Sequence, residues 1–207
     1  MSPVELWLFR HGATAWARSG RHTGRTDLPL LPEGEEEARA LAPLLERLRF
    51  RGVLVSPLQR ARRTCELAGL GDQAVPCGDL QEWDYGDYEG ITTAEIRSSV
   101  PGWTVWSHPC PGGEDRLQVE ERCRRVIAQA ESLAAAAEEG GEATPRQPIR
   151  FALFAHGHLL RSLAGTWLGL GAAGGALLAL DTACIGVLGR EREQAVLLRW
   201  NAPVHWP

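Results

Sequence analysis

The sequence predicts an α/β fold, in which a mostly parallel central β-sheet carries helices on both faces as a three-layer αβα sandwich. The first observation is that short apolar runs, typical of buried strands, alternate with longer amphipathic runs, typical of helices. The second is that these short runs are apolar along their length, as expected of parallel strands covered on both faces. The third is size: 207 residues, 44% of them hydrophobic, suit a single domain over residues 1–207.

Each expected strand is a short apolar run bounded by polar or turn-forming residues. Strands are expected at Val4–Phe9, Gly52–Ser56, Ile149–Ala155, Ile185–Arg190 and Ala195–Trp200, with a further β-rich run at Leu177–Leu180. Helices are expected at 32–49, from Pro57 to about Ala68, from about Glu114 onward, and at Leu159–Leu168. Two segments show neither pattern: an active-site excursion at 79–112, with one short helix near 92–99, and a surface loop at 138–148.

Composition and charge exclude several classes of protein. The net charge of −4 gives no indication of a nucleic-acid partner, and no apolar run is long enough to span a membrane. The sequence begins without a signal-peptide pattern, and its five cysteines form no CxxC pair, so we expect free thiols and a cytoplasmic location. All 22 basic residues are arginine, which removes Schiff-base and P-loop lysines from consideration. We expect no cofactor. The sequence does not decide between a monomer and a homodimer.

Two segments share one pattern, an apolar strand that ends in a histidine followed by a glycine. They are LWLFRHG at 6–12 and FALFAHG at 151–157. Because ligands of an open parallel sheet bind beyond the carboxyl ends of its strands, His11 and His156 are expected to face the same crevice. A lone histidine at a strand end is more often structural, but two in the same context favour a functional site.

A third segment, SPLQRARRT at 56–64, begins at another strand end and places Arg60 one turn inside the following helix. Arg10 and Arg60 would supply planar, permanently charged donors that match phosphate geometry. Gly157 and the helix it opens would add backbone N–H donors. The three segments together predict a site for a phosphate group.

The RHG segment, SPLQRARRT and the late HGH on a strand-to-helix turn resemble the histidine phosphatase superfamily, which has the phosphoglycerate-mutase-like fold. The resemblance covers almost the whole chain. SGRHTGRTDLPL at 19–30, EWDYGDYEG at 82–90 and FAHGHLLR at 154–161 are similar to the small acid-phosphatase and sedoheptulose-1,7-bisphosphatase-like members rather than to the mutases. The resemblance implies a phosphomonoesterase that acts on a small phosphorylated metabolite, a sugar phosphate or bisphosphate.

The resemblance also implies a catalytic set. His11 would be the nucleophile that carries the phosphoryl group. Arg10, Arg60 and His156 would hold the phosphoryl oxygens and stabilise charge in the transition state. Glu82 would be the general acid for the leaving alkoxide and later the base that activates water. No metal ligand is part of this set.

The choice of Glu82 comes from the family pattern, since the residues alone leave Asp84, Asp87 and Glu89 as equal candidates. Thr14, Thr23 and Gly24 are expected at the phosphate end of the pocket. The remaining residues expected to bind phosphate or the rest of the substrate are Arg21, His22, Tyr85, His108, Gly157 and His158.

The chain departs from the family pattern at two positions. Many members carry asparagine three residues after the position of Thr14, where this chain has Ala17, so one phosphate donor is missing and Arg18 or Arg21 could replace it. His158 stands where mutases usually have asparagine. This favours a phosphatase and leaves the role of His158 open.

Three alternatives remain at the level of sequence. A phosphoglycerate mutase needs cations for a second phosphate, whereas residues 91–113 offer only Arg97. A metal-dependent hydrolase could use His156 and His158, although the neighbouring arginines would repel a cation. A non-catalytic member of the same fold would be expected to have lost the nucleophile or a phosphate ligand, and all five central positions are present.

Overall fold

The structure, a computed structural model, describes residues 3–140 and 147–204. Its six-stranded β-sheet consists of β1 (Val4–Arg10), β2 (Gly52–Val55), β3 (Ala74–Pro76), β4 (Ile149–Ala155), β5 (Ile185–Glu191) and β6 (Gln194–Ala202). The strand order is β3-β2-β4-β1-β5-β6. The three pairs among β3, β2, β4 and β1 are parallel, and the pairs β1–β5 and β5–β6 are antiparallel. The expectation of a mostly parallel sheet is confirmed.

Helices lie on both faces of this sheet. They are α1 (Ala15–Ser19), α2 (Pro32–Ala40), α3 (Ala42–Leu45), α4 (Gln59–Leu67), α5 (Thr93–Ser99), α6 (Arg116–Glu139) and α7 (Gly157–Trp167). On the central strand β4, Phe151 and Leu153 belong to the hydrophobic cluster with α6 and α7. Ala152 and Phe154 belong to the second cluster, with α3 and α4. Because successive residues of a strand point to opposite faces, this alternation places one helical layer on each side and confirms the αβα sandwich.

The helix expected at 32–49 is shorter and divided. α2 ends at Ala40 and α3 covers only Ala42–Leu45, with Leu41 between them. Pro43 explains the break, because proline has no N–H to donate and its ring clashes with the carbonyl four residues earlier. This segment nevertheless packs against the sheet, since Leu41 and Leu45 are buried in the cluster that contains Phe9 and Phe154.

Other differences concern short elements. The run at Leu177–Leu180 was expected to be β-rich and is not a strand: a 3-10 helix over Ala172–Leu177 ends there. α1 and β3 were not expected, and α4 begins at Gln59 rather than at Pro57, so Arg60 is its second residue instead of lying one turn inside it.

The excursion at 79–112 packs onto the sheet through aromatic side chains. Trp83, Tyr85 and Trp103 are buried in the cluster that contains α6 and α7. α5 lies where the short helix was expected, and its N-terminus has a reciprocal capping box between Thr92 and Glu95. The expected loop at 138–148 is described only at its ends, where 138 and 139 still belong to α6; residues 141–146 lie outside the described residues.

Candidate active site

Three strand ends meet at one edge of the sheet and carry the polar residues that the sequence singles out. Arg10 and Ala155 are register partners at the ends of β1 and β4, so His11 and His156 follow side by side. Their ring centroids are 5.2 Å apart. β2 ends beside them, and Ser56 donates its N–H to the Phe154 carbonyl. The parallel pairing of these strands therefore builds one crevice, as expected of the carboxyl edge of such a sheet.

His11 is held in one tautomer. Its Nδ1 lies 2.8 Å from the Gly12 carbonyl oxygen, which can only accept, so Nδ1 carries the proton and Nε2 keeps a free lone pair. Burial, followed by the charges of Arg60 and Arg10, holds the pKa of His11 well below its ordinary value. The imidazole is therefore neutral near pH 7, which is the state a nucleophile requires.

Gly12 fixes the turn that carries His11. A Cβ at this position would collide with the backbone of Gly34 at the start of α2, so the close approach of turn and helix requires glycine at this position. The Gly12 N–H donates to Thr64 Oγ1 on α4. The turn is thus fixed from two helices on the same side of the sheet.

Arg60 is completely buried and joins three parts of the site. Its Nε donates to His156 Nδ1 at 3.1 Å, and its two terminal nitrogens donate to the carbonyls of Thr23, Gly24 and Thr26. At least four of its five N–H bonds are therefore directed at protein acceptors. Its charge acts on the site at short range, while most of its hydrogen bonds hold the loop at 23–26.

His156 has a protein partner on each ring nitrogen. Nδ1 accepts from Arg60, and Nε2 lies 2.8 Å from Ser56 Oγ. Burial and the Arg60 charge hold the pKa of His156 well below its ordinary value. A direct bond from His156 to a phosphoryl oxygen requires that one of these partners be exchanged.

Arg10 has a donor that is free for an anion. Its Nη1 donates to the Leu180 carbonyl at 2.5 Å, whereas its Nε is buried and has no hydrogen-bond partner among the described residues. A buried, unpaired donor is costly unless a ligand satisfies it. Gly157 lies against this guanidinium, because a Cβ there would sit 3.3 Å from Arg10 Cζ and Nε.

Glu82 lies at the N-terminus of α7. Its Oε1 accepts from the backbone N–H groups of Trp83 and Leu159, and its Oε2 accepts from that of His158. Both lone pairs of Oε1 are thus used, and Oε2 keeps one lone pair that can hold a proton. The backbone of α7 therefore orients this carboxyl group.

A cavity of about 240 Å³ opens above these groups. It is lined by Arg10, His11, Ala17, Gly20, Arg21, His22, Thr23, Glu82, Tyr85, Thr93, Gly157, His158, Arg161 and Leu180. Nine of the fourteen residues predicted for the site are in this lining. Arg60 and His156 lie behind it, in contact with the turns that form its floor.

Three of the predicted binding residues have other partners. Thr14 is buried and caps α1 by accepting the Ala17 N–H, and the Gly24 N–H is bound by both carboxylate oxygens of Glu89. His108 lies in a separate surface depression with Trp106, where its Nδ1 contacts Ser107 Oγ. None of the three lines the cavity.

Tyr85 and His158 form a pair on the cavity wall. The Tyr85 hydroxyl lies 2.6 Å from His158 Nδ1. Burial and the nearby Glu82 carboxylate raise the pKa of Tyr85 well above its ordinary value, while burial and the Arg161 charge lower that of His158. Both side chains are therefore neutral near pH 7. His22 packs against the Tyr85 ring and contacts Thr93 Oγ1 through Nε2.

Ala17, which stands where many family members have a phosphate-binding asparagine, lies on the cavity wall. Arg21 also lines the cavity, where its Nη1 donates to the Gly90 carbonyl. Arg18 instead forms an exposed ion pair with Glu33. Of the two replacements left open by the sequence, the structure places only Arg21 at the cavity.

The structure separates the four acidic candidates of the excursion. Only Glu82 lines the cavity. Asp84 pairs with Arg25, and Glu89 binds the backbone at residues 24 and 26. Asp87 is not part of the lining. Of the four, Glu82 is therefore the one whose carboxyl group is placed to meet a bound substrate.

Arg161, Thr93 and Leu180 line the cavity and were not expected there. Arg161 lies on α7 one turn after His158, stacks on Trp106 at 4.8 Å and donates from Nε to the Gly175 carbonyl. The i, i+3 spacing from His158 is the signal that could have identified it. Leu180 lies at the cavity because its backbone carbonyl accepts a hydrogen bond from Arg10, a contact that no sequence pattern indicates.

The described residues offer no grouping for metal-dependent catalysis and no reactive thiol among the three most buried cysteines. Within residues 3–140 and 147–204, no group of three or more histidine, cysteine, aspartate or glutamate side chains is placed to hold a metal ion. The five cysteines are free, and burial raises the pKa of Cys65, Cys110 and Cys123 to about 12, so these thiols are not nucleophiles at neutral pH. No described helix has the length and apolar character needed to cross a bilayer.

Comparison with known proteins identifies the family of this chain. Residues 6–203 match the sequence model of the histidine phosphatase superfamily (branch 1). The chain is 42% identical over 198 residues to an acid phosphatase of Mycobacterium tuberculosis, covering 93% of this chain and 91% of the relative. It is 37% identical over 187 residues to the sedoheptulose 1,7-bisphosphatase of Saccharomyces cerevisiae, covering 79% and 67% of the two chains.

Solved structures agree. A structure from Mycobacterium tuberculosis superposes with a TM-score of 0.82 at 38% identity, covering 98% of this chain and 99% of the other. The mycobacterial glucosyl-3-phosphoglycerate phosphatase superposes with a TM-score of 0.82 at 29% identity, covering 97% and 99%. With the sequence match extending over nearly the whole chain, the protein is a phosphatase that belongs to the histidine phosphatase superfamily.

Proposed function

We propose that this enzyme hydrolyses a small phosphorylated metabolite, a sugar phosphate or bisphosphate, through a phosphohistidine on His11. The observation that carries the proposal is the free Nε2 lone pair of a neutral, buried histidine on the wall of a cavity that also presents Arg10 and Arg21. Phosphoryl transfer needs an aligned nucleophile and fixed positive charge around the equatorial oxygens, and this arrangement supplies both.

In the first step, Nε2 of His11 forms a bond to phosphorus while the ester P–O bond breaks. The free Nε–H of Arg10 donates to a phosphoryl oxygen, and Arg60 adds its charge from behind the turn. The leaving alkoxide takes a proton from Oε2 of Glu82. The product alcohol then departs, leaving phosphate bound to nitrogen.

In the second step, Glu82 is ionised and accepts a proton from water as the water oxygen attacks phosphorus. The P–N bond breaks, its electrons return to His11, and inorganic phosphate leaves. One carboxyl group thus serves both half-reactions, with its proton restored at the end of the cycle. The proposal uses no metal ion and no organic cofactor.

The substrate class rests on the relatives and on the cavity. The named relatives include a sedoheptulose bisphosphatase and a glucosyl-3-phosphoglycerate phosphatase. In this chain, His22, Tyr85 and His158 offer neutral polar groups and ring faces for the part of the substrate beyond the phosphate. We further propose that the enzyme acts in the cytoplasm, because its cysteines are free.

The test is to trap the intermediate at neutral or alkaline pH with a ³²P-labelled substrate, since phosphohistidine is labile in acid. We expect one phosphate per chain on His11, and no label in His11→Ala. Label on aspartate or cysteine, or turnover by His11→Ala, would overturn the mechanism. A phosphate-release screen over sugar phosphates, sugar bisphosphates, glycerate phosphates and nucleotides then identifies the preferred substrate.

A further inference from the structure

Arg122 lies on α6, away from the cavity, with its guanidinium buried against the loop that carries Glu82. Its Nε and Nη2 donate to the two carboxylate oxygens of Glu114 at 2.7 and 2.8 Å. Its Nη1 donates to the carbonyls of Asp79 and Gln81 at 2.8 and 2.9 Å, and Nη2 lies 3.5 Å from the Glu82 carbonyl. All five N–H bonds of this guanidinium thus have an acceptor.

Glu114 holds the other side of the same loop. Its Oε2 also accepts the Asp84 N–H at 2.9 Å, and its backbone carbonyl accepts the Trp83 indole N–H at 2.9 Å. Residues 81–85 form neither helix nor strand, so no regular hydrogen-bond ladder fixes this part of the chain. The Arg122–Glu114 ion pair, with Arg122 buried and Glu114 partly buried, takes the place of such a ladder on both flanks of Glu82.

We infer that Arg122, paired with Glu114, is a positioning residue for Glu82. It holds the loop so that the Glu82 carboxyl group reaches the N-terminus of α7 and the cavity, and it does not touch the substrate. A buried ion pair is not in itself evidence of added stability, because desolvation of both charges opposes their attraction. What the rigid five-donor fork provides is fixed geometry, and a catalytic group displaced by about 1 Å loses much of its effect.

The inference rests on the proposed function, in which Glu82 is the general acid, and Arg122→Lys tests it. Lysine keeps the charge but cannot serve five acceptors at once. The readout is kcat/KM, which covers the steps up to formation of the phosphoenzyme and leaves out its hydrolysis. We expect a loss of about 10- to 100-fold in kcat/KM on the sugar phosphate most rapidly hydrolysed in the screen. On p-nitrophenyl phosphate, whose leaving group needs no acid, the loss in kcat/KM should be about threefold or less. Rates are expressed per folded molecule, with the folded fraction measured by circular dichroism.

Arg125→Lys is the matched control. Arg125 is also on α6 and also contacts this segment, but it pairs with the carboxylate of Asp79 at the surface, at 2.7 Å. We expect equal and small effects on both substrates. Glu114→Gln, which removes the partner charge without changing shape, should reproduce the pattern of Arg122→Lys.

Glu82→Gln provides the reference. We expect Glu82→Gln to lose more activity on the sugar phosphate than on the aryl phosphate. If adding Arg122→Lys to Glu82→Gln does not enlarge this difference, Arg122 acts through Glu82, as inferred. If Glu82→Gln shows the pattern and Arg122→Lys loses both activities equally, this inference alone is overturned. Failure of both Arg122→Lys and Glu114→Gln to fold would also overturn it, by assigning the pair to stability. If Glu82→Gln lacks the pattern, the acid of the proposed function fails and this inference with it.

Discussion

The Nε–H of Arg60 donates to Nδ1 of His156 at 3.1 Å. Because a guanidinium can only donate, Nδ1 of His156 must be unprotonated, and the ring proton belongs to Nε2, which faces Ser56. The same arginine is the main charge that lowers the pKa of His11 after burial. One buried side chain therefore fixes the tautomer of His156 and adds to the effect of burial on the pKa of His11.

We expect Arg60→Gln to reduce kcat/KM by about 10²–10³-fold, the usual cost of removing one group that stabilises charge in the transition state. The acid limb of the pH–rate profile should also move to higher pH, since loss of this positive charge raises the pKa of His11. The profile of kcat/KM against pH measures both effects. Arg62→Gln, exposed on the same helix, is the control. An unmoved acid limb in Arg60→Gln would contradict the electrostatic role.

Stability should fall on acidification below the ordinary pKa of histidine. Burial holds the pKa values of His11, His156 and His158 well below 6.5 in the folded state, whereas the unfolded chain has ordinary histidines. The unfolded state then binds more protons from the folded pKa values up to about pH 6.5, and in that window the free energy of unfolding rises with pH. Above it, the contribution of these histidines is complete.

Urea unfolding at a series of pH values measures this slope, which reaches about 1.4 kcal/mol per pH unit for each such histidine. His11→Asn removes one of the three groups, so its slope should be smaller than that of the unsubstituted protein. A free energy of unfolding that stays constant from pH 7.5 down to pH 5 would show that these histidines titrate normally when folded.

Strands and the residues at their ends were the most predictable features of this protein. The apolar runs that lead into His11 and His156 match β1 and β4 almost residue for residue, because a strand buried on both faces has little room for polar residues. The crevice followed from parallel pairing. The sequence could therefore predict that His11 and His156 face the same crevice, and the structure places their rings 5.2 Å apart.

Elements defined by single contacts could not be predicted. α1 depends on one side-chain cap from Thr14, and β3 has three residues, one of them proline. The apolar run at Leu177–Leu180 has strand composition, yet it forms the wall that supplies the Leu180 carbonyl to Arg10. Arg122 is distinguished by its contacts with the carbonyls of Asp79 and Gln81, about 40 residues earlier in the chain. Such pairings are set by tertiary packing, which local pattern does not encode.

Activity should survive removal of divalent metals. In the proposed mechanism the phosphoryl group is bound by donors of Arg10 and of the turn at Gly157, and Arg60 adds its charge from behind that turn. Phosphate release in excess EDTA, after dialysis against chelator, should stay within about twofold of the untreated rate, since no step of the mechanism uses a Lewis acid. Loss of activity that zinc or magnesium restores would instead favour a metal-dependent hydrolase.

The assignment of Glu82 has a sharper signature than loss of rate alone. General acid catalysis contributes about 10²–10⁴-fold, so Glu82→Gln should lose on that order with a sugar phosphate. An aryl phosphate releases a phenolate that needs no proton, and its phosphorylation step should suffer far less. The rate of phosphoenzyme formation, measured by rapid quench at alkaline pH, should therefore depend more steeply on leaving-group pKa in the variant.

The second half-reaction gives an independent check of Glu82. Water attack on the phosphohistidine also needs a base, so the labelled intermediate should accumulate in Glu82→Gln when an aryl phosphate forms it. Asp84→Asn is the matched control, because Asp84 is two residues away and its carboxylate pairs with Arg25 outside the cavity. It should leave both the leaving-group dependence and the level of intermediate unchanged. If Asp84→Asn shows the two effects and Glu82→Gln does not, the general acid is the wrong carboxylate and the contacts of Glu82 with α7 are purely structural.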